Sequence, residues 1–227
     1  MRPGPAVLEA RGLTVRYGET TAVDSVDLAI APGSRTAVMG PSGSGKSTLV
    51  HALAGVVRPA AGEIWFEDVR LDQLSESERS RRRLSRMGMV LQFGDLVPEL
   101  TVVENVMLPL QVLGERARPA RARALELLDA LGVADLADRR TGAVSGGQVQ
   151  RAAVARSLVH GPAVVLADEP TGALDSLTAE QVLDTMVSVT AAAGAALVVV
   201  THDHVVASHL DDLVVVRDGR VAERVVA

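Results

Sequence analysis

Thr36-Ala37-Val38-Met39-Gly40-Pro41-Ser42-Gly43-Ser44-Gly45-Lys46-Ser47-Thr48 decides the fold. The run Thr36 to Met39 is a short apolar strand, and Ser47 to Val56 carries a helical pattern. Between them, Gly40 to Ser47 fits G-x-x-x-x-G-K-S/T, a turn whose glycines let successive backbone N–H groups curl around phosphate oxygens. Gly40, Pro41, Ser42, Gly43, Ser44, Gly45, Lys46, Ser47 and Thr48 are therefore the candidate contacts to a nucleotide. The helix start adds partial positive charge, Lys46 brings a compact charge to the β- and γ-phosphates, and the Ser47 hydroxyl suits Mg²⁺. Of 23 lysines and arginines, Lys46 alone is lysine. A GC-rich genome explains the arginine excess, but not why the one lysine falls in this frame.

Three further apolar runs, Met89 to Leu91, Val164 to Ala167 and Leu197 to Val200, read as buried parallel strands. Helical patterns over Pro119 to Leu131, Gln148 to Val159 and Thr178 to Ala192 separate them, the alternation of an α/β layered fold. Ala6 to Val15 and Thr21 to Ile30 form an expected hairpin around Arg16-Tyr17-Gly18-Glu19, and Asp218-Gly219 marks another. A mixed sheet with an antiparallel edge follows. The predominantly helical stretch 94–160 lies between two core strands and reads as an inserted subdomain, with 1–93 and 161–227 as the core of a single domain over 1–227.

Composition narrows the function classes. A length of 227 residues with 48% hydrophobic and 22% charged residues is that of a chain able to bury a core. Without cysteine, disulfides and zinc–thiolate sites are excluded and a reducing compartment is expected. The longest apolar stretch, Ala191 to Val200, is about half the length of a membrane span. Met1-Arg2-Pro3-Gly4-Pro5 leads into no apolar export core, so a cytoplasmic location is expected. A net charge of −5 and only four aromatic residues (Tyr17, Trp65, Phe66, Phe93) argue against a nucleic-acid partner.

Chemistry gathers at strand ends, where sheets of this kind bind ligands. Val164 to Ala167 runs into Asp168-Glu169. Alone such a pair is a turn or a helix cap; beside a phosphate loop, Asp168 reads as a Mg²⁺ ligand, directly or through water. Glu169 reads as the base that orients and deprotonates the water attacking the γ-phosphate. Gln92 and His202 end two other strands: Gln92 would contact metal and water, His202 the γ-phosphate. In isolation each reads first as a satisfied structural polar group.

Ser145-Gly146-Gly147-Gln148, followed by the helical Val149 to Arg156, resembles the signature motif of ABC ATPases. With the phosphate loop, Gln92, Pro170-Thr171-Gly172-Ala173-Leu174-Asp175 and His202 in that order, the resemblance spans nearly the whole chain. It implies an ABC ATPase core with a helical subdomain, ATP and Mg²⁺ as ligands, and a head-to-tail homodimer, or a pairing with a similar subunit. ATP would lie between the phosphate loop of one subunit and Ser145 to Gln148 of the other, with Asp175 in the shared site. Tyr17 looks like the aromatic that stacks on adenine, the alternative being a packing residue of the hairpin turn. Glu104 to Leu110 and Leu166 to Ser176 further resemble the MacB/LolD/FtsE group. That resemblance implies a subunit peripheral to the inner face of the cell membrane, driving a separate MacB/FtsX-like permease. Export, mechanical transmission and regulation of cell-wall enzymes stay open, as does, more remotely, a soluble ABC ATPase. Val144, Val149, Ala173 and Gly94 depart from the usual leucine, glutamine, asparagine and aromatic residue.

Two surface expectations complete the reading. Arg79, Arg81, Arg82, Arg83 and Arg86 form either a solvated helix face or a basic patch for lipid or permease. Leu96, Val97, Leu100, Val102, Val103, Val106, Met107 and Leu108 are mostly subdomain core, with a few lining a groove for a permease helix.

Overall fold

The computed structural model, which describes residues 6–91 and 96–226, opens with a hairpin of β1 (Leu8–Tyr17) and β2 (Thr20–Ile30), then β3 (Arg35–Met39) and α1 (Lys46–Leu53). β4 (Ala61–Phe66), β5 (Val69–Arg70), α2 (Glu76–Arg86) and β6 (Met87–Val90) follow. Three helices, α3 (Val102–Val112), α4 (Ala117–Ala130) and α5 (Gly146–Leu158), lead to β7 (Val164–Asp168), α6 (Ser176–Ala192) and β8 (Ala196–Val200). The short α7 (His204–Ser208) and the hairpin of β9 (Asp212–Arg217) and β10 (Arg220–Val226) complete the chain.

Burial pattern explains which strands go where. β7 up to Asp168 and the whole of β8 are apolar because both faces are covered: Val164, Leu166, Val198 and Val200 enter one core, Val165, Ala167, Leu197 and Val199 the other. They lie in a six-stranded sheet of order β10-β9-β3-β8-β7-β6, parallel except for the β10 edge. β1 and β2 instead show one buried face, with Leu8, Ala10, Leu13, Val15, Val26, Leu28 and Ile30 inward. The N-terminal hairpin is accordingly not an edge of the parallel sheet. It joins β4 and β5 in a second, wholly antiparallel sheet of order β2-β1-β4-β5. Between the sheets lies α1, burying Leu49, Val50, Ala52 and Leu53, each large side chain contributing ~1.5–3 kcal/mol by leaving water. The other core, on the far face of the six-stranded sheet, is shared with α3 to α7.

Local signals set the helix starts. Reciprocal capping boxes open α2 (Ser75 and Glu78), α3 (Thr101 and Glu104) and α5 (Ser145 and Gln148), while Asp175 caps α6. α1 differs: it starts from Gly45 with no side-chain cap, so its first N–H groups face outward to whatever binds there.

Three of the five arginines of α2 make contacts that neither surface expectation described, while Arg81 is exposed and Arg82 half-buried. Arg79 is buried, donating to the Leu74 carbonyl at 3.0 Å and pairing with Glu76. Arg83 donates to the Gly55 carbonyl just beyond α1 at 2.8 Å, and to Glu76 at 2.8 Å. Arg86 pairs with Glu67. A helix C-terminus attracts cations, and three of the five arginines are spent holding α2 to its neighbours. Hydrogen bonds from Arg83, Arg79 and Ser80 hold the Glu76 carboxyl down to about 2, so this junction keeps its charge until strongly acidic pH. Of the apolar positions after Gly94, Val102, Val103, Val106 and Met107 are buried, whereas Leu96, Val97, Leu100 and Leu108 are half-buried. Among the described residues, no helix is long and apolar enough to cross a membrane.

Candidate nucleotide-hydrolysis site

At the carboxyl ends of the parallel strands, one cavity of about 270 Å³ is lined by Ser42, Gly43, Ser44, Gly45, Lys46, Ser47 and Thr48 together with Asp168 and Glu169. β3 feeds the loop and β7 delivers the two acids, adjacent through β8 in the parallel register. Gly40 and Pro41 do not line the cavity; their carbonyls accept the Lys46 ammonium at 2.9 and 2.8 Å. A Cβ on Gly45 would come within 2.2 Å of the Ala22 carbonyl oxygen, and one on Gly40 within 2.1 Å of the Val216 carbonyl oxygen. Only glycine permits that approach. The Ser44 hydroxyl, in a residue 4% exposed, has no hydrogen-bond partner among the described residues. An uncapped helix start, an orphan hydroxyl and a confined ammonium together make a cradle for phosphate oxygens.

Glu169 has φ +49°, a left-handed conformation costing a non-glycine residue roughly 1–2 kcal/mol. The turn is held by the Glu169 N–H donating to the Val200 carbonyl at 3.0 Å and the Gly172 N–H donating to the Glu169 carbonyl at 3.2 Å. Strain held this firmly is characteristic of functional positions. His202 Nδ1 lies 2.8 Å from Glu169 Oε1. That hydrogen bond, and then the carboxylate charge, raises the imidazole above its ordinary value of about 6.5. The sign follows: the stabilisation is complete below the ordinary imidazole value and is lost as pH rises through the raised one. With His202 74% exposed, solvent screening keeps it small. We expect an NMR titration to place His202 above the ordinary imidazole range, and Glu169→Gln to return it to that range. An unchanged midpoint in the variant would refute the pairing.

Other expected residues lie apart from this cavity. Tyr17, 53% exposed at the end of β1, stands opposite Thr20 in the hairpin and lines no part of it. Neither do Ser145, Gly146, Gly147 and Gln148. Ser145 Oγ accepts from the Gln148 N–H at 3.4 Å and Gln148 Oε1 accepts from the Ser145 N–H at 2.8 Å, leaving Ser145 and Gly146 exposed. Gly147 packs against Leu174, and Asp175 accepts from the Thr178 N–H at 3.1 Å; hydrogen bonding with the Thr178 side chain first, and with its N–H second, holds the Asp175 carboxyl below the usual range. Gln92, like Gly94, lies outside the described residues, although Gln150 Nε2 reaches the Leu91 carbonyl beside it at 3.5 Å. Ala22 and Val200 were not legible beforehand as parts of the site: they line the cavity, but offer space and carbonyls with no chemical signature.

Comparison with known proteins agrees with this geometry. Residues 23–172 match the ABC transporter family. The chain is 41% identical over 222 residues to "Lipoprotein-releasing system ATP-binding protein LolD" of Xanthomonas oryzae pv. oryzae, covering 96% of this chain and 91% of that one. It is 40% identical to the LolD of Legionella pneumophila, covering 96% and 98%. Among solved structures, the dimeric post-hydrolysis state of the ATP-binding cassette MJ0796 bound to ADP and Pi superposes with TM-score 0.92 at 34% identity over 96% of this chain and 98% of that one. The cbiO1 protein of Clostridium perfringens, part of the ABC transporter complex cbiONQ, superposes with TM-score 0.85 at 29% identity over 96% and 88%. A glycine-rich turn before an uncapped helix and an acid-ended strand on the same cavity, in a chain this similar to ABC cassettes over nearly its full length, make this protein a member of the ABC transporter family and an ATP-binding ATPase.

Proposed function

We propose that this chain hydrolyses ATP between two head-to-tail copies and passes the resulting movement to a separate membrane permease. The observation that carries the reading is the single cavity that joins Ser42 to Thr48 with Asp168 and Glu169. N–H groups at the α1 start and the Lys46 ammonium bind the β- and γ-phosphates, Lys46 exchanging its bonds to the Gly40 and Pro41 carbonyls for phosphate oxygens. Glu169 accepts the proton of the attacking water as the new P–O bond forms and the β-phosphate oxygen leaves with its electron pair. His202 orients Glu169 through Nδ1 and offers its second nitrogen to the γ-phosphate, while Tyr17 stacks on adenine.

The donor set fits Mg²⁺. A Ser47 hydroxyl and an Asp168 carboxylate are hard oxygen ligands on one cavity, and Gln92 would add an amide oxygen. Magnesium bound by one or two protein oxygens would take its remaining ligands from phosphates and water. When bound, Mg²⁺ would supply charge neutralisation at the phosphates.

Ser145 to Gln148 and Asp175 would complete the site of the opposite subunit, and residues 94–160 would move as a helical subdomain. We place permease docking at the groove of about 220 Å³ between α2, β6, α3 and α5, where Leu84, Met87, Met89 and Pro109 give an apolar floor. Such a lining suits the apolar face of an amphipathic helix. The protein would thereby sit at the cytoplasmic face of a membrane. The relatives named for lipoprotein release make extraction of a lipidated cargo the leading transport reading.

The single lysine supplies the test. An amine-acylating reagent has one side-chain target, Lys46, which the open cavity leaves reachable without nucleotide. Saturating Mg-ATP should lower acylation at Lys46 by about tenfold or more, because charge-assisted contacts keep the ammonium protonated and covered. Labelling of the α-amino group, followed by peptide mass spectrometry, should not change. Equal modification of Lys46 with and without Mg-ATP would sink the assignment.

A further inference from the structure

The phosphate loop rests on the turn between β9 and β10, which no motif of the sequence marks as functional. The Gly219 N–H donates to the Ser44 carbonyl inside the loop at 3.0 Å, and the Asp24 N–H of β2 donates to the Gly219 carbonyl at 2.8 Å. Gly219 has φ +74°, and a Cβ there would stand 2.9 Å from the Ala22 carbonyl oxygen. That same carbonyl lies against Gly45, so the turn, β2 and the loop meet at one point. Arg220 then closes the junction: its Nε and Nη2 both donate to Asp24 Oδ2, at 2.9 and 2.6 Å. Asp24 is itself steadied by the Ser25 hydroxyl, which donates to Oδ1 at 3.2 Å. This junction ties the antiparallel sheet, the six-stranded sheet and the loop together.

The geometry points to Gly219, Asp24 and Arg220 as positioning residues for ATP binding, the β9–β10 turn being the floor that holds residues 43–45 in phosphate-binding shape; this rests on the phosphate-site reading above. Preorganised N–H groups bind phosphate without first paying to order the loop. Because the floor acts on ground state and transition state alike, its loss should raise KM for ATP and leave kcat nearly unchanged.

Steady-state ATPase kinetics of the full chain test this, with thermal unfolding as the control for folding. Arg220→Gln should raise KM about three- to fivefold, the scale of an exposed ion pair, with kcat within about twofold. Both Arg220 donors share one oxygen, so a point charge can replace the fork, and Arg220→Lys should restore KM to within about twofold of wild type. Gly219→Ala should raise KM about tenfold or more, since its Cβ must displace the Ala22 carbonyl. Wild-type KM in both Arg220→Gln and Gly219→Ala, or an Arg220→Lys variant as impaired as Arg220→Gln, overturns the proposal. If Gly219→Ala does not fold, the two Arg220 variants decide alone. Lys46→Ala separates the two levels of the argument: loss of ATP binding there with normal KM in the floor variants rejects only the floor. Retained ATP binding in Lys46→Ala rejects the phosphate-site reading itself.

Discussion

Glu169→Gln is expected to bind ATP as the wild type does while turning over about 10²- to 10⁴-fold more slowly, roughly 3–5 kcal/mol of transition-state stabilisation. The substitution keeps shape and hydrogen-bonding capacity, so Ser47, Asp168 and the phosphate loop are undisturbed, and only the proton acceptor is lost. The left-handed backbone at φ +49° is as strained for glutamine as for glutamate, so the variant should fold as the wild type does. A nucleotide-loaded dimer should therefore accumulate and be visible by size-exclusion chromatography in ATP. Phosphate release near the wild-type rate would show that another group takes the proton.

Ser145→Arg should have a comparable effect by a different route. Ser145 lies outside the cavity of its own subunit, and its exposed position at the start of α5 should let it meet the nucleotide of a second copy. Replacing it removes one half of the capping box, costing roughly 1 kcal/mol of stability, and places a long cation where a γ-phosphate should approach the helix start. ATP binding to the monomer should persist while hydrolysis falls about 100-fold or more. Mixing this variant with Lys46→Ala gives dimers in which one site keeps both Lys46 and Ser145. Independent sites would then return about a quarter of wild-type turnover, since half the dimers are mixed and each holds one intact site of two. A mixture no more active than its components, with no mixed dimer trapped by ATP, would rule out a composite site.

Much of this was readable from residue order because the decisive features are local. A glycine-rich turn between an apolar strand and a helix needs only neighbours in sequence, and so do the β7 acids, the Asp218-Gly219 hairpin and the Ser145 cap. Strands β7 and β8 announced burial on both faces by having no polar alternation. What the tertiary structure alone decided depends on contacts between distant segments. Whether β1 and β2 flank the parallel sheet or build a second one turns on β4, whose short run Ala61–Phe66 carries no strong signal of its own. The arginines of α2 looked like a surface patch because charge patterning says nothing about which carbonyls lie opposite, and Arg83 meets Gly55 only after folding. The distance from His202 to Glu169, the Ala22 carbonyl against Gly45, and the Gly219 turn beneath Ser44 likewise join residues 23 to 175 positions apart. Residue types can nominate the groups that do chemistry, but carbonyl positions and close backbone approaches carry no side-chain signature, so only the packed sheets could reveal what holds the phosphate loop in shape.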